Sequence, residues 1–199
     1  MNFKEFTNTK ASQVLSTQSR RADLSALELG ALHFQMGQFL AYHILEDFEL
    51  AHCDIAHVQG IRSGFEIAGK GDICVMAMLR AGLFAAEGIR SIFTDGAFFL
   101  EHDNMEEIVS KHSLESKTVI VVDAVINTGK SIANILNQLI AAKCEKVIVA
   151  TLVMQDDARR LAIDFPVVSF YALRVSENRY KGTKGIDTGN RLFNTLELD

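Results

Sequence analysis

The sequence has little of several features that would indicate other classes of protein. Proline occurs once in 199 residues, 48% of which are hydrophobic, and this favours one globular α/β domain over residues 1–199. The three cysteines are widely spaced and form no Cys-x-x-Cys pair, so neither a disulfide framework nor a zinc site is indicated. A reducing, cytoplasmic setting is therefore expected. No apolar run reaches the roughly 18 residues of a bilayer span, and the N-terminus does not resemble a secretory signal.

Positive charge is also scarce. The formal net charge is -5, whereas binding to a phosphate backbone requires a basic surface, so nucleic acid is excluded as an expected partner. A small anionic ligand remains compatible with this charge, because a few local backbone N–H groups can bind one.

Hydrophobic patterning divides the chain into three parts. Residues 1–20 are polar and aperiodic, and we expect an extended arm there. Ser25 and Glu28 form a capping-box pattern before a long amphipathic helix that runs to about Leu45. From Ile73 onward, strand and helix patterns alternate, which predicts a mainly parallel, twisted sheet flanked by helices. The predicted strands are 73–79, 97–100, 119–122, 147–153 and 167–172, and the predicted helices are 81–89, 132–140 and 157–163.

The stretch TVIVVDAVINTGKSIANIL combines a buried strand, the carboxylate of Asp123 and a polar loop before a helix. Open parallel sheets bind ligands at the carboxyl ends of their strands, and a helix N-terminus favours a phosphate. The loop is not a Walker A motif, because Ala124 stands where that motif needs glycine. Two readings of the local pattern stay open: a phosphate-binding loop, or a helix simply capped by Asn127 or Thr128.

Three stretches resemble the type I phosphoribosyltransferases, and uracil phosphoribosyltransferases in particular. VIVVDAVINTGKS is similar to the loop that binds phosphoribosyl pyrophosphate (PRPP), and the absence of a second acidic residue at Ala124 resembles the uracil branch. MLRAGLFAAEGI is similar to the Leu-Arg-Ala-Gly segment, and YKGTKGIDTGNRLFNT to the C-terminal segment that covers the base. The resemblance implies the type I phosphoribosyltransferase fold, with residues 174–199 forming this cover, which we call the hood.

The resemblance also implies functions for particular residues. Asp123 would lie under the ribose hydroxyls, and Arg80 would bind pyrophosphate, with Ala81 and Gly82 allowing close backbone approach. From the residues alone, Arg80 could otherwise be read as a structural salt bridge and Asp123 as a helix-capping acid. Arg191 and Phe193 would anchor the hood. Mg²⁺ would arrive with PRPP, no metal site of the chain's own is expected, and a homodimer is implied. The implied PRPP-binding loop comprises Asn127, Thr128, Gly129, Lys130 and Ser131, and the implied base-binding residues are Gly185, Ile186 and Asp187.

Some positions depart from the family pattern. His102 stands where an arginine that helps to bind pyrophosphate is expected, and Thr183, Lys184 and Asn190 replace the usual hood residues. Three hypotheses follow: a uracil phosphoribosyltransferase making UMP, a phosphoribosyltransferase for another base, and a non-catalytic regulatory protein that binds PRPP or a nucleotide. Arg62 is interpreted as a surface residue. The set His52, Cys53, Asp54 and His57 is interpreted as a surface turn and the start of a strand, because its spacing fits no zinc site.

Overall fold

The computed structural model describes residues 2–103, 105–178 and 187–195. Six strands form one parallel sheet in the order β1-β8-β7-β6-β4-β5, and β2 and β3 form a separate antiparallel hairpin. The strands are β1 (Phe3–Glu5), β2 (Leu50–His57), β3 (Gly60–Ile67), β4 (Ile73–Ala77), β5 (Phe98–Leu100), β6 (Thr118–Ile126), β7 (Lys146–Gln155) and β8 (Ser169–Ser176). The helices are α1 (Lys10–Ser19), α2 (Ala26–Leu45), α3 (Leu83–Arg90), α4 (Met105–His112), α5 (Lys130–Ala141), α6 (Leu161–Asp164) and α7 (Thr188–Phe193).

Two hydrophobic cores lie on opposite faces of the sheet. On one face, α2 and α3 pack against side chains such as Val75, Val122 and Ala150. On the other, α4, α5 and the α6 region pack against Val121, Val149 and their neighbours. The central strands are covered on both sides, which explains their nearly continuous runs of valine and isoleucine. The predicted fold class, a mainly parallel sheet flanked by helices, is confirmed.

The beginning of the chain differs from the extended arm expected over residues 1–20. β1 pairs in parallel with β8, and α1 follows it. The Thr9 side chain caps α1, and Ser12 is buried with its hydroxyl donating to the Leu173 carbonyl at 2.7 Å. The polar composition of this segment does not predict its packing. α1 buries no broad apolar face, and the buried Ser12 is satisfied by its hydrogen bond instead.

The capping box before α2 is confirmed. The Ser25 hydroxyl accepts from the Glu28 backbone N–H, and the Glu28 carboxylate accepts from the Ser25 N–H at 2.8 Å. These contacts satisfy two donors at the start of a 20-residue helix.

The β2–β3 hairpin is absent from the pattern that the sequence predicts. Its strands pair from Leu50 with Ile67 to His57 with Gly60, and most of its side chains are exposed. His52, Cys53, Asp54 and His57 all lie within β2, so no turn occurs there. Three of the four are exposed and Cys53 is half-buried, which agrees with their interpretation as surface residues. Arg62 lies on β3 and donates to the carbonyl of its neighbour Ile61 at 2.9 Å, as a surface residue.

The C-terminal segment contains regular secondary structure. β8 extends to Ser176, so the predicted hood boundary at residue 174 falls inside a strand. α7 forms over Thr188–Phe193, and the Asp187 side chain caps it. A helix of six residues gives too short an apolar pattern to be recognised from sequence. The predicted hood residues Thr183, Lys184, Gly185 and Ile186 lie outside the described residues.

Candidate active site

The predicted phosphate loop follows β6, but Asp123 does not mark the end of that strand. β6 continues to Ile126, because Val125 and Ile126 still pair with Val153 and Met154 of β7. Asp123 therefore lies within the strand, and its side chain is partly exposed at the sheet's carboxyl edge.

The loop leaves the N-terminus of α5 without a side-chain cap. Gly129 occupies the N-cap position with φ of 73°, and no side chain bonds to the first N–H groups from that position. Thr128 Oγ1 is 3.5 Å from the Lys130 backbone nitrogen, which is a marginal contact, and Asn127 Oδ1 is buried without a hydrogen-bond partner. Capping by Asn127 or Thr128, the alternative reading, is therefore poorly supported, and the free N–H groups suit an anion.

The loop borders a cavity of about 570 Å³ between α5 and α6. Lys130 and Arg160 both line it, with Leu161 and Phe165 forming apolar walls. Lys130 and Ser131 are exposed at the first turn of α5, where a bound anion could reach both.

Burial makes Asp123 an unusual carboxylic acid. Loss of hydration raises the pKa of its carboxyl group from 3.8 to about 7, and the nearby Glu101 carboxylate raises it further, against the opposing effect of the Val125 and Ala124 backbone N–H groups. Asp123 does not cap a helix, and its hydrogen bond is with the Val125 N–H at 3.4 Å. A carboxyl group with a pKa near 7 at the edge of a sheet is a candidate for a functional group, because strongly shifted pKa values cluster at functional sites.

The turn after β4 brings Arg80 to the same edge of the sheet. The Leu79–Arg80 peptide is cis, and the Arg80 side chain is exposed. Its Nη2 donates to Asn190 Oδ1 at 2.7 Å, its Nη1 donates to Thr195 Oγ1 at 3.4 Å, and its guanidinium lies 5.6 Å from the Phe193 ring centre. These partners are neutral, so the salt-bridge reading of Arg80 finds no support among the described residues.

Gly82 packs tightly against the neighbouring strand. A Cβ there would lie 2.5 Å from the Val122 carbonyl oxygen and 3.2 Å from the Asp123 Cα atom. The glycine thus brings the Arg80 turn close to Asp123, and Ala81 lies half-buried beside it. From the sequence, Gly82 is expected to let the backbone approach pyrophosphate closely. In the structure it lets the Arg80 turn approach the backbone of β6.

Glu101 and His102 follow β5, next to this turn. Glu101 Oε2 accepts from the Leu79 N–H at 3.0 Å, so it fixes the residue before Arg80. His102 is exposed and lines a cleft of about 370 Å³ with Glu101, Asp103 and Glu106.

α7 closes one side of the site. Asp187 Oδ1 accepts from the Asn190 N–H at 2.8 Å, so the carboxylate of this predicted base-binding residue is engaged in capping. Arg191 donates to the Arg21 carbonyl at 2.7 Å, and the Phe193 ring centre lies 5.6 Å from that of Phe84, contacts consistent with the anchoring expected of both residues. The predicted base-binding residues Gly185 and Ile186 lie outside the described part of the chain.

Sequence reasoning misses the partners of Arg80. Asn190 is 6% exposed and is 110 residues from Arg80 in the chain, and the sequence marks it only as a departure from the family pattern. Glu101 carries no signal beyond its position next to His102. The spacing of Asp187 and Asn190, three residues apart like a capping pair, is the one local signal for α7.

Two solved structures with TM-scores above 0.5 share the fold. The AQ2163 protein from Aquifex aeolicus matches with a TM-score of 0.78 at 20% identity, over 96% of this chain and 97% of that chain. The TT1426 protein from Thermus thermophilus matches with a TM-score of 0.52 at 14% identity, over 81% and 96%. A purine phosphoribosyltransferase from Pyrococcus horikoshii has a TM-score of 0.47 at 16% identity, over 90% and 91%.

The parallel sheet, the loop after β6 and the arginine turn after β4 together define a fold of the type I phosphoribosyltransferase class. A family model described as uracil phosphoribosyltransferase matches residues 6–195. The chain belongs to this family, and membership supports phosphoribosyl transfer as the general type of reaction.

Within the described residues, no group of three or more His, Cys, Asp or Glu side chains is placed to bind a metal ion. No helix in the same part of the chain is both long and apolar enough to span a membrane.

Proposed function

We propose that the protein transfers the phosphoribosyl group of PRPP to uracil, forming UMP and pyrophosphate. The observation that carries the proposal is the uncapped N-terminus of α5, which directly follows the strand that holds the half-buried carboxyl group of Asp123. Family membership supports the reaction type, and the resemblance of the hood sequence supports uracil as the base.

In the proposed mechanism, each group at the carboxyl edge of the sheet has one role. The N–H groups from Asn127 to Ser131 bind the 5′-phosphate, with the hydroxyls of Thr128 and Ser131 and the ammonium of Lys130 near it. Asp123 accepts hydrogen bonds from the ribose hydroxyls and stabilises positive charge on the ring as the C1′–O bond breaks. Arg80 binds the departing pyrophosphate, the base nitrogen forms the new bond to C1′, and the proton of that nitrogen is released to water.

If Mg²⁺ enters with PRPP, Asp123 and Glu101 are the residues that would hold it, and the ion would supply positive charge to the pyrophosphate. The donor set fits this use, since the chain offers two nearby carboxyl groups, Asp123 and Glu101, instead of a closed ligand cluster among its described residues. An ion with several bound waters and substrate oxygens needs no more than that.

Backbone groups of the hood at Gly185, Ile186 and Asp187 are proposed to recognise the base. A uracil ring presents donors and acceptors that backbone groups can match. Because the Asp187 carboxylate caps α7, its backbone is the part available for this contact.

The test is turnover of a panel of labelled bases with PRPP and Mg²⁺, with and without Asp123→Asn. We expect UMP formation with uracil, a decrease of about 100-fold in kcat for the variant, and no change for the exposed control Asp54→Asn. Because ionised Asp123 is the useful form, kcat/KM for PRPP should fall as the pH is lowered through about 7. Full activity of Asp123→Asn would refute the assignment.

A second variant tests the support of Arg80. Asn190→Ala removes the acceptor of its 2.7 Å hydrogen bond, and we expect the KM for PRPP to rise about fivefold to tenfold with a smaller change in kcat. Asn137→Ala, on the exposed face of α5, is the matched control. Equal KM values for the two variants would show that Arg80 does not depend on its hydrogen bond to Asn190.

The exposed His102, in the place of an expected arginine, favours the other two hypotheses. Turnover of another base, without turnover of uracil, would support a phosphoribosyltransferase for that other base. PRPP binding measured by calorimetry, with no turnover of any base, would select a regulatory protein.

We also propose a cytoplasmic homodimer. Its support is the resemblance and the β2–β3 hairpin, on which Val58, Ile61 and Phe65 are 96%, 73% and 67% exposed. Light scattering of the native protein should give twice the mass of one chain. Phe65→Ser should give a lower mass, because it removes an exposed aromatic side chain from the proposed contact. A native monomer would contradict this proposal.

A further inference from the structure

A small cavity lies between the two N-terminal helices, the ends of β6–β8 and α7. Its volume is about 40 Å³, whereas pockets for drug-sized ligands enclose roughly 300–1,000 Å³. Val125 and Leu152 contribute apolar walls, and Thr188 contributes a hydroxyl group.

The charged side chains around this cavity all carry the same sign. Arg20, Arg174 and Arg191 line it, and among the residues that the structure describes no carboxylate does. Arg20 Nε donates to the Ser16 carbonyl at 2.9 Å, and Arg191 Nη2 donates to the Arg21 carbonyl at 2.7 Å. Each guanidinium carries five N–H donors, so these contacts leave further donors at both residues.

His33 supplies an independent indication of a ligand. It lines the cavity, is 5% exposed, and its Nδ1 atom is buried without a hydrogen-bond partner. Burial, and secondly the charge of Arg191, lower the pKa of this imidazole from 6.5 to about 4, so the ring is neutral at physiological pH. A buried polar atom normally has a partner, and a neutral imidazole nitrogen that carries the proton can donate to an anion.

We propose that this cavity binds a single small inorganic anion of halide size. The anion accepts hydrogen bonds from His33 and from the guanidinium groups of Arg20 and Arg191, and it offsets the positive charge of these two arginines. The small volume excludes a nucleotide, and the site is separate from the loop of Asn127–Ser131.

α7 connects this site to Arg80. Thr188 and Arg191 line the cavity, while Asn190 of the same helix accepts the Arg80 hydrogen bond. An anion that restrains α7 therefore also restrains Arg80. This consequence, unlike the anion site itself, rests on the proposed function.

Bromide diffraction tests the site directly. Crystals of the full chain soaked in sodium bromide should give an anomalous peak within hydrogen-bond distance of His33 and Arg191. Arg191→Gln crystals should lack it. Absence of the peak from native crystals would overturn the proposal.

A solution measurement covers the case in which Arg191→Gln does not fold. Replacing sodium gluconate by sodium chloride at constant ionic strength should raise the Tm of the native protein, since an ion that binds only the folded state stabilises it. Arg20→Gln, at an exposed position, should weaken the apparent chloride affinity about tenfold, through loss of a charged donor. Arg62→Gln, on the hairpin, should respond as the native protein does, and an equal response of Arg20→Gln and Arg62→Gln would refute the site.

The coupling to α7 has its own readout. PRPP should bind about threefold more tightly in chloride than in gluconate, a modest coupling between sites, and Arg20→Gln should lose this difference. Equal PRPP affinities would refute the coupling while the bromide peak stands. Failure to bind PRPP in either salt would instead refute the proposed function.

Discussion

At the scale of single residues, the candidate site depends on a carboxyl group that is partly shielded from water and on an arginine whose partners are neutral. Asp123 lies among valines of the central strand, and Arg80 is held by an amide and a hydroxyl. A neutral partner orients a guanidinium without cancelling its charge, which leaves that charge for an anionic ligand.

The pKa of Asp123 predicts how stability changes with pH. Between pH 3.8 and about 7 the folded protein retains a proton on Asp123 that the unfolded chain releases. The contribution of Asp123 to the free energy of unfolding is therefore full below pH 3.8 and is lost as the pH rises through about 7. Asp123→Asn removes this loss. We expect the variant to gain about 2 kcal/mol of unfolding free energy relative to native at pH 8, allowing for partial exposure, and less at pH 5.

Urea denaturation at the two pH values checks this prediction. Asp54→Asn, on the exposed hairpin, should show the same difference from native at both. An Asp123→Asn difference that does not grow with pH would mean that the carboxyl group is ionised normally in the folded protein.

At the scale of elements, the junction between β6 and α5 shapes the phosphate loop. Gly129 has a positive φ, and a Cβ on it would lie 2.6 Å from Leu161 Cδ1. The glycine thus lets the loop pack on the α6 region while its N–H groups stay free for a ligand.

Gly129→Ala should destabilise the protein by about 1–3 kcal/mol, because the new methyl group is strained in both backbone and packing. It should also raise the KM for PRPP. Gly71→Ala is the matched control, since a Cβ there meets nothing within 4 Å. Chemical denaturation compares the two variants, and equal unfolding free energies would show that the loop relaxes around the methyl group.

At the scale of the whole molecule, the N-terminal segment completes the sheet. The Asn2 amide donates to the carbonyls of Ala162 and Val168 at 2.7 and 3.1 Å, and Lys4 pairs with Asp47 at 2.6 Å. Thr7 Oγ1 accepts from the Val175 N–H at 3.0 Å. These contacts join the chain's beginning to β8, α6 and the end of α2.

Removal of residues 1–20 should therefore destabilise the fold by several kcal/mol and lower the Tm by about 10 °C or more. The physical reasons are the exposure of the β8 edge and the loss of Ser12 from its buried contact. Differential scanning calorimetry measures the change. An unchanged Tm would favour the interpretation of this segment as an extended arm.

The sequence by itself determined the parallel α/β class, the α2 capping box and the family, because buried strands, helix caps and the PRPP-loop motif are local patterns. It also identified Asp123 and Arg80 as candidate site residues. Only the tertiary structure joined Arg80 to Asn190, placed β1 beside β8, and enclosed His33 among three arginines. Most of these contacts link residues more than 100 positions apart, and they depend on packing and desolvation that no short stretch of sequence records.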